Sequence, residues 1–338
     1  MSIYDIHGNP IVVDSGGESV ADLLAKARHV KNNACTPLTL AHFSDIHADT
    51  VAYGRIVAEI KALSDVDDII CTGDLIFRSS EQISGWWDED VMTCIGNHDS
   101  AVPSGYVLDW TGLSMANRDA YYIAPFESNW GITHESGKSY YYKDYSTQKV
   151  RLIVIDAMLY YGTPGAEATA QTAWLTDLLA SARTNNLHVL IASHSPVNSA
   201  TVVDCSFSQY GRTQMYDNTD CFTPSDVVDA VSSAITAGLH FIGYIVGHNH
   251  ADYVFKPTNT QLGFAVTCAI TSTENQWLPW NDMSRGVGAD AYNLVTIDTA
   301  NTLVKIVRGG GANMSDSMRA RKAICFDYST GNMVGEIK

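Results

Sequence analysis

Val91-Met92-Thr93-Cys94-Ile95-Gly96-Asn97-His98-Asp99 joins an apolar run of strand length to an amide, an imidazole and a carboxylate in consecutive positions. A strand that delivers three polar side chains at its tip has the character of an active-site edge, because ligands of open α/β sheets collect outside the carboxyl ends of the strands. The chain repeats this pattern on either side. Residues 38–43 lead into Ser44-Asp45-Ile46-His47, 68–72 into Gly73-Asp74, 187–192 into Ser193-His194, and 240–246 into Gly247-His248-Asn249-His250.

Helical spacing separates these strands. Asp49 or Thr50 can cap a helix running to about Leu63, with Ile56, Val57, Ile60 and Leu63 on one face. A second helix over 167–183 turns Trp174, Leu175, Leu178 and Leu179 inward. A third is marked by Thr223 as cap, Pro224 in the first turn and Asp226 three residues after the cap, and runs to about Ala237. Residues 139–145 and 149–156 pair as a hairpin across Ser146-Thr147-Gln148. From 252 onward the pattern is mostly β, with strands over 253–256, 264–269, 292–298, 302–307 and 323–328 and a Trp-rich loop at 272–289.

With no internal repeat and no low-complexity linker, one domain is expected. Residues 1–37 form an extension packed on the core, with a helix over 18–30 carrying Val20, Leu23, Leu24 and Ala27. Residues 38–310 form the main domain, and 311–338 are a C-terminal β segment of it.

A hydrophobic fraction of 46% over 338 residues supplies a substantial core. The formal charge of −16, from 21 basic against 37 acidic residues, repels nucleic-acid phosphates, and the basic residues form no stripe. No signal-peptide pattern and no apolar stretch of membrane-spanning length is present, so a cytoplasmic protein that engages neither membrane nor nucleic acid is expected. The seven cysteines show no CxxC spacing, and most read as buried reduced thiols. Cys205 and Cys221, which flank a polar loop, are the one pair placed to bridge.

The strand tips collect five of the eleven histidines, with two aspartates, an asparagine and Asp99. His7, His29, His42, His134, His188 and His240 lack such a context and read as core or surface residues. Taken in order, Asp45-x-His47, Gly73-Asp74, Gly96-Asn97-His98-Asp99, His194 and Gly247-His248-x-His250 resemble the motifs of the calcineurin-like metallophosphoesterase family.

The resemblance implies an α/β (α+β) fold, a four-layer αββα sandwich of two mixed β-sheets flanked by helices. It implies a dinuclear centre in which Asp74 bridges the ions, Asp45, His47 and His250 complete one site, and Asn97, His194 and His248 the other. Mixed nitrogen and oxygen donors suit Mn²⁺, Fe²⁺/Fe³⁺ or Zn²⁺ better than Ca²⁺. The activity implied is hydrolysis of phosphomono- or diesters by in-line attack of a metal-activated hydroxide, two ions about 3.5–4 Å apart clamping the attacking and leaving oxygens.

His98, not needed as a ligand, would act as general acid or stabilise charge on phosphorus. Asp99 would orient its ring and raise its pKa, or simply cap the following turn.

Within the family, Phe77 occupies the tyrosine position of the purple acid phosphatase GDxxY pattern, and His47 is present where that branch lacks it, so no iron-tyrosinate chromophore is expected. The motifs resemble the branch holding class III cyclic nucleotide phosphodiesterases and bacterial phosphohydrolases. A small phosphorylated substrate, nucleotide-like or a sugar phosphate, is the expected partner. Loop residues such as Arg78, Trp86, Trp87, Tyr106, Trp110, Arg118, Tyr210, Arg212, Trp277, Trp280 and Arg285 either contact substrate or pack the loops onto the core. A non-catalytic scaffold on the same fold is the alternative, although scaffolding does not require a complete ligand set.

Overall fold

Alternation along the strands decides the layering. In β1 (Leu38–Phe43) Leu38 and Leu40 face one way and Ala41 and Phe43 the other, and all four are buried. A strand buried on both faces belongs between two apolar layers. The structure, a computed structural model, describes residues 36–76, 83, 85–104, 107–109, 112–161, 164–195, 200–204, 225–248, 254–257, 264–267, 291–310 and 323–337, with short strands at 2–4 and 10–12.

The remaining strands of the two large sheets are β2 (Asp68–Cys71), β3 (Val91–Thr93), β4 (Thr133–His134), β5 (Tyr141–Tyr145), β6 (Val150–Val154), β7 (His188–Ala192) and β8 (Ala200–Asp204). They continue with β9 (Phe241–Val246), β10 (Val254–Pro257), β11 (Phe264–Thr267), β12 (Ala291–Asp298), β13 (Leu303–Gly310), β14 (Ala323–Asp327) and β15 (Asn332–Ile337).

One sheet runs β15-β14-β13-β12-β1-β2-β3 and the other β8-β10-β11-β9-β7-β6-β5-β4. Both are mixed. Parallel pairing joins β1 to β2 to β3 in the first and β6 to β7 to β9 to β11 in the second, and the flanking pairs are antiparallel.

Leu38, Leu40, Ile70 and Met92 of the first sheet meet Leu152, Val154, Leu190 and Ile245 of the second in a core between the sheets. The outer face of the first sheet is covered by α1 (Thr50–Lys61), which buries Tyr53, Ile56, Val57 and Ile60 against Ala41, Phe43 and Ile69. Each fully buried isoleucine contributes about 1.5–3 kcal/mol. On the second sheet, α5 (Ala166–Thr184) and α6 (Ser225–Thr236) lay Leu175, Leu179, Val227 and Val231 over Ile153, Val189 and Ile191. The result is the four-layer αββα sandwich that the motifs imply.

Asp49 caps α1, its carboxylate accepting from Ala52 N at 2.9 Å. That helix ends at Lys61, two residues before Leu63. The hairpin forms as expected, with Tyr145 opposite Val150. After α2 (Asn97–Ser100), the stretch to residue 137 contains the paired strands Val102–Ser104 and Val107–Asp109, α3 (Met115–Tyr122), α4 (Glu127–Trp130) and β4.

β15 carries no strand pattern in the sequence. Its Asn332-Met333-Val334-Gly335-Glu336 run lacks apolar alternation because, among the described strands, it is an edge strand paired with β14, and its Val334 is exposed. Ser2–Tyr4 pairs with Pro10–Val12. The expected helix at 18–30, Thr223, Pro224, Cys205 and Cys221 lie outside the described residues. Among the described residues Cys71, Cys94 and Cys325 are buried free thiols, and no helix is long and apolar enough to cross a membrane.

Candidate metal centre

The carboxyl ends of β1, β2 and β3 bring Asp45, His47, Asp74 and Asn97 to one edge, and those of β7 and β9 bring His194 and His248 to the same place. The loops after β1 and β2 run as a continuing ladder: Asp45 N donates to Gly73 O at 3.0 Å, His47 N to Asp74 O at 2.9 Å and Ala48 N to Leu75 O at 2.8 Å. Gly247 N donates to His194 O at 2.9 Å, tying the tips of the second sheet together. A Cβ at Gly247 would lie 1.8 Å from Ser44 Oγ, so the close approach of the two sheets' tips depends on a glycine there.

Asp74 stands at the centre. Its Oδ2 lies 3.3 Å from His194 Nε2 and 3.6 Å from His47 Nε2, and its Oδ1 accepts from His98 N at 2.9 Å. Two donor clusters share it: His47, Asp74 and His98, and Asp74, His194 and His248, each with ligand atoms within 4.8 Å of one another. Asn97 Oδ1 is 2.9 Å from both His194 Nε2 and His248 Nδ1. Asp45 Oδ1 is 3.9 Å from His47 Nε2, and the Asp45 carboxylate accepts from His248 N at 3.0 Å. The structure therefore brings together Asp45, His47, Asp74, Asn97, His98, His194 and His248. His250 lies outside the described residues.

The donor chemistry fits a cation. His194 Nδ1 is 2.7 Å from Thr72 O, a pure acceptor, which places the ring proton on Nδ1. The Nε2 lone pair then faces Asn97 Oδ1 and Asp74 Oδ2, two further acceptors. Such a convergence is tolerable only with a positive charge at its centre, a proton or a metal ion. Burial alone would lower the His194 pKa, but the Asp74 charge beside it pushes it up to about 9. Burial would likewise raise Asp74, yet the surrounding His194, His98 and His47 hold it well below the usual carboxylate range. Nδ1 donation to a main-chain carbonyl is also how metal-ligating histidines are commonly oriented. Thr72 plays this part through its carbonyl, which no side-chain pattern reveals.

Four of the donor positions have left-handed backbone: Asp45 (φ 60°), His47 (φ 48°), Asp74 (φ 53°) and His248 (φ 72°). For non-glycine residues such conformations cost about 1–3 kcal/mol each and persist where the surroundings enforce them.

Asp99 differs from the expectation that it orients the His98 ring. Its buried carboxylate accepts from four main-chain amides: Asp74 N (2.9 Å) and Gly96 N (2.8 Å) on Oδ2, and Leu75 N (2.9 Å) and Ile76 N (3.2 Å) on Oδ1. The bond to Gly96 is the turn-capping alternative, with Asp99 as third residue of the four-residue α2. The other three reach across to the turn after β2. Burial and the nearby Asp74 charge push the Asp99 pKa up to about 7, while the amide donors favour the carboxylate. His98 is half-buried with its ring edge-on to His47, 4.5 Å between centroids.

The described loop residues pack rather than project. Trp87 is buried, stacks on Tyr53 at 4.7 Å and donates from Nε1 to Val91 O, and Trp86 meets Tyr53 edge-on. Arg118 is buried and bound to Asp156 at 2.8 Å, so it does not hold a phosphate. Phe77, Arg78, Tyr106, Trp110, Tyr210, Arg212, Trp277, Trp280 and Arg285 lie outside the described residues. The remaining described histidines are structural: His42 Nε2 is 2.9 Å from Thr72 Oγ1, His134 Nε2 is 2.8 Å from Lys138 O, His188 Nδ1 is 2.5 Å from Tyr328 Oη, and His240 stacks on His188.

The sequence model of the family described as calcineurin-like phosphoesterase matches residues 38–252. No curated protein matches the sequence. Among solved structures, a dimetal phosphatase from Danio rerio is similar in fold, with 12% identity over 86% of this chain and 99% of that one and a TM-score of 0.53. A purple acid phosphatase from yellow lupin (Lupinus luteus) seeds is 12% identical over 86% of this chain and 54% of its own, with a TM-score of 0.49. A phosphopantetheinyl hydrolase from Mycobacterium tuberculosis is 13% identical over 69% of this chain and 90% of its own, with a TM-score of 0.38.

Proposed function

The chain belongs to the calcineurin-like phosphoesterase family, a family of metal-dependent phosphoesterases, and from that premise we propose that it hydrolyses small phosphomono- or diesters at a dinuclear centre. The observation that carries the reading is the position of Asp74 Oδ2, one carboxylate oxygen facing the imidazole nitrogens of two separate donor clusters. Asp45, His47, Asp74 and His250 would hold one ion, and Asp74, Asn97, His194 and His248 the other. Two such ions, as Mn²⁺, Fe or Zn²⁺, would activate water and draw charge from the phosphoryl group.

The protein's own part is to fix donors and supply a proton. His98 is the group best placed to protonate the departing alkoxide, since its main-chain amide is anchored on Asp74 Oδ1 and its ring lies against His47. Its nitrogen also falls within the His47–Asp74 cluster, so a reshuffled centre could use it as a ligand.

Substituting His98 by Ala is expected to leave two ions bound and to lower turnover by about 10²–10⁴-fold. An unchanged rate removes His98 from proton transfer, and loss of an ion makes it a ligand. Metal analysis after reconstitution with Mn²⁺, together with parallel assays on a chromogenic phosphomonoester and a phosphodiester, tests the reading as a whole. Activity on either ester with two ions bound supports it. A protein that binds no ion overturns it, and one that binds ions yet cleaves neither ester is the scaffold instead.

A further inference from the structure

Asp99 is fully buried, lies beside two donor clusters and yet has both oxygens committed to main-chain amides. An ionised carboxylate only accepts, and its two oxygens can take four N–H bonds. Here three of those bonds come from consecutive residues, Asp74, Leu75 and Ile76, whose amides turn inward as in an anion-binding nest. The turn that makes this possible has Gly73 at φ 92° and Asp74 at φ 53°. A reciprocal bond runs the other way, from His98 N to Asp74 Oδ1. Two turns 25 residues apart thus grip each other through two carboxylates.

We propose that Asp99 is a positioning residue of the metal centre, whose carboxylate holds the turn at 73–76 and through it the shared ligand Asp74. The inference rests on the dinuclear reading. With the turn clamped from one side and Oδ1 engaged by His98 N, Asp74 turns its other oxygen, Oδ2, toward both clusters. Because the ligand so held is common to both sites, loosening it weakens both ions together, whereas damage to His194 or His47 falls first on one.

Asp99→Asn is the test. The amide keeps one acceptor oxygen and turns an NH₂ toward the other two N–H donors, with almost no change in volume. The variant is expected to bind both Mn²⁺ ions at least tenfold more weakly by calorimetric titration. It should also lose the exchange-coupled signal of a paired Mn²⁺ centre in electron paramagnetic resonance. Leu179→Ala, in the buried face of α5, provides a destabilised control that keeps both properties. Two ions bound to Asp99→Asn with unaltered affinity and coupling overturn the inference, whereas an unsubstituted protein that binds no ion overturns the dinuclear reading beneath it. Should the variant not fold, hydrogen exchange on the unsubstituted, metal-free protein decides. The amides of Asp74, Leu75, Ile76 and Gly96 are expected to exchange slowly, and rapid exchange overturns the inference.

Discussion

A methyl group at position 96 would sit 2.2 Å from both the amide nitrogen and Oδ1 of Asp74. Neither atom is the free end of a flexible chain, so Gly96→Ala must displace the turn that carries the shared ligand. Metal stoichiometry by elemental analysis is expected to fall from two ions toward none, with a lower melting temperature; two ions at full occupancy would show that the turns can part without harm. Asp74→Asn should likewise empty both sites, since each donor cluster contains that residue. The identities of these residues were legible in the sequence, because each stands at the end of an apolar run. What Asp99 does was not, because its partners are main-chain amides, and an amide carries no signature of the residue it belongs to. For the same reason Thr72 was invisible, and Arg118, which could equally have met a phosphate, turned out to have met Asp156.

Between elements, several bonds join the two sheets outside the metal centre, among them Tyr141 Oη to Thr93 O and Lys143 Nζ to Asp68 Oδ2, and one of them involves a titrating group. Tyr328, just past β14, is hydrogen-bonded through its hydroxyl to His188 Nδ1 at the start of β7. Burial, then the neighbouring His240 and Lys149, push the His188 imidazole down to about 4. The sign follows from linkage: between pH about 6.5 and 4 the unfolded chain takes up a proton that the folded chain refuses. Stability from this group is therefore full above pH 6.5 and is lost as pH falls through that window. His188→Gln keeps an acceptor for Tyr328 but cannot titrate, so its urea midpoint should fall less between pH 7 and 5 than that of the parent; an equal fall would assign the loss to other groups. At this scale the sequence was most readable where both flanking signals were present, as in α1 with its Asp49 cap and in the β5–β6 hairpin. It was least readable at β15, where exposure on an edge removes the alternation that marks a strand.

For the molecule as a whole, four of the described donor positions (Asp45, His47, Asp74 and Asn97) follow the first strands of one sheet and two (His194 and His248) follow strands of the other, so the ions would bind only the assembled sandwich. Anything that binds the folded state alone stabilises it by mass action, by about 2.7 kcal/mol at a hundredfold excess over Kd. Chelation is accordingly expected to lower the melting temperature, with recovery on adding Mn²⁺ but not Ca²⁺; a melting temperature indifferent to both would mean that the ions do not couple to folding. The layering was readable from doubly buried strands, but the order of strands within the sheets was not, since pairing partners far apart in sequence leave no mark on either.

That order has a consequence for what counts as a unit of this chain. β12 lies directly beside β1 and is hydrogen-bonded along its length, Val295 opposite Leu40, with β13, β14 and β15 stacked outward from it. The stretch recognisable as the family ends at residue 252, some forty residues before β12 begins. Excised at that point, the fragment would carry every motif and still leave β1, the strand that leads into Asp45 and His47, as a bare edge, its apolar rungs open to any passing chain. The stretch that carries the family's motifs and the stretch that completes the sheet are two different lengths, and the longer one sets the folding unit.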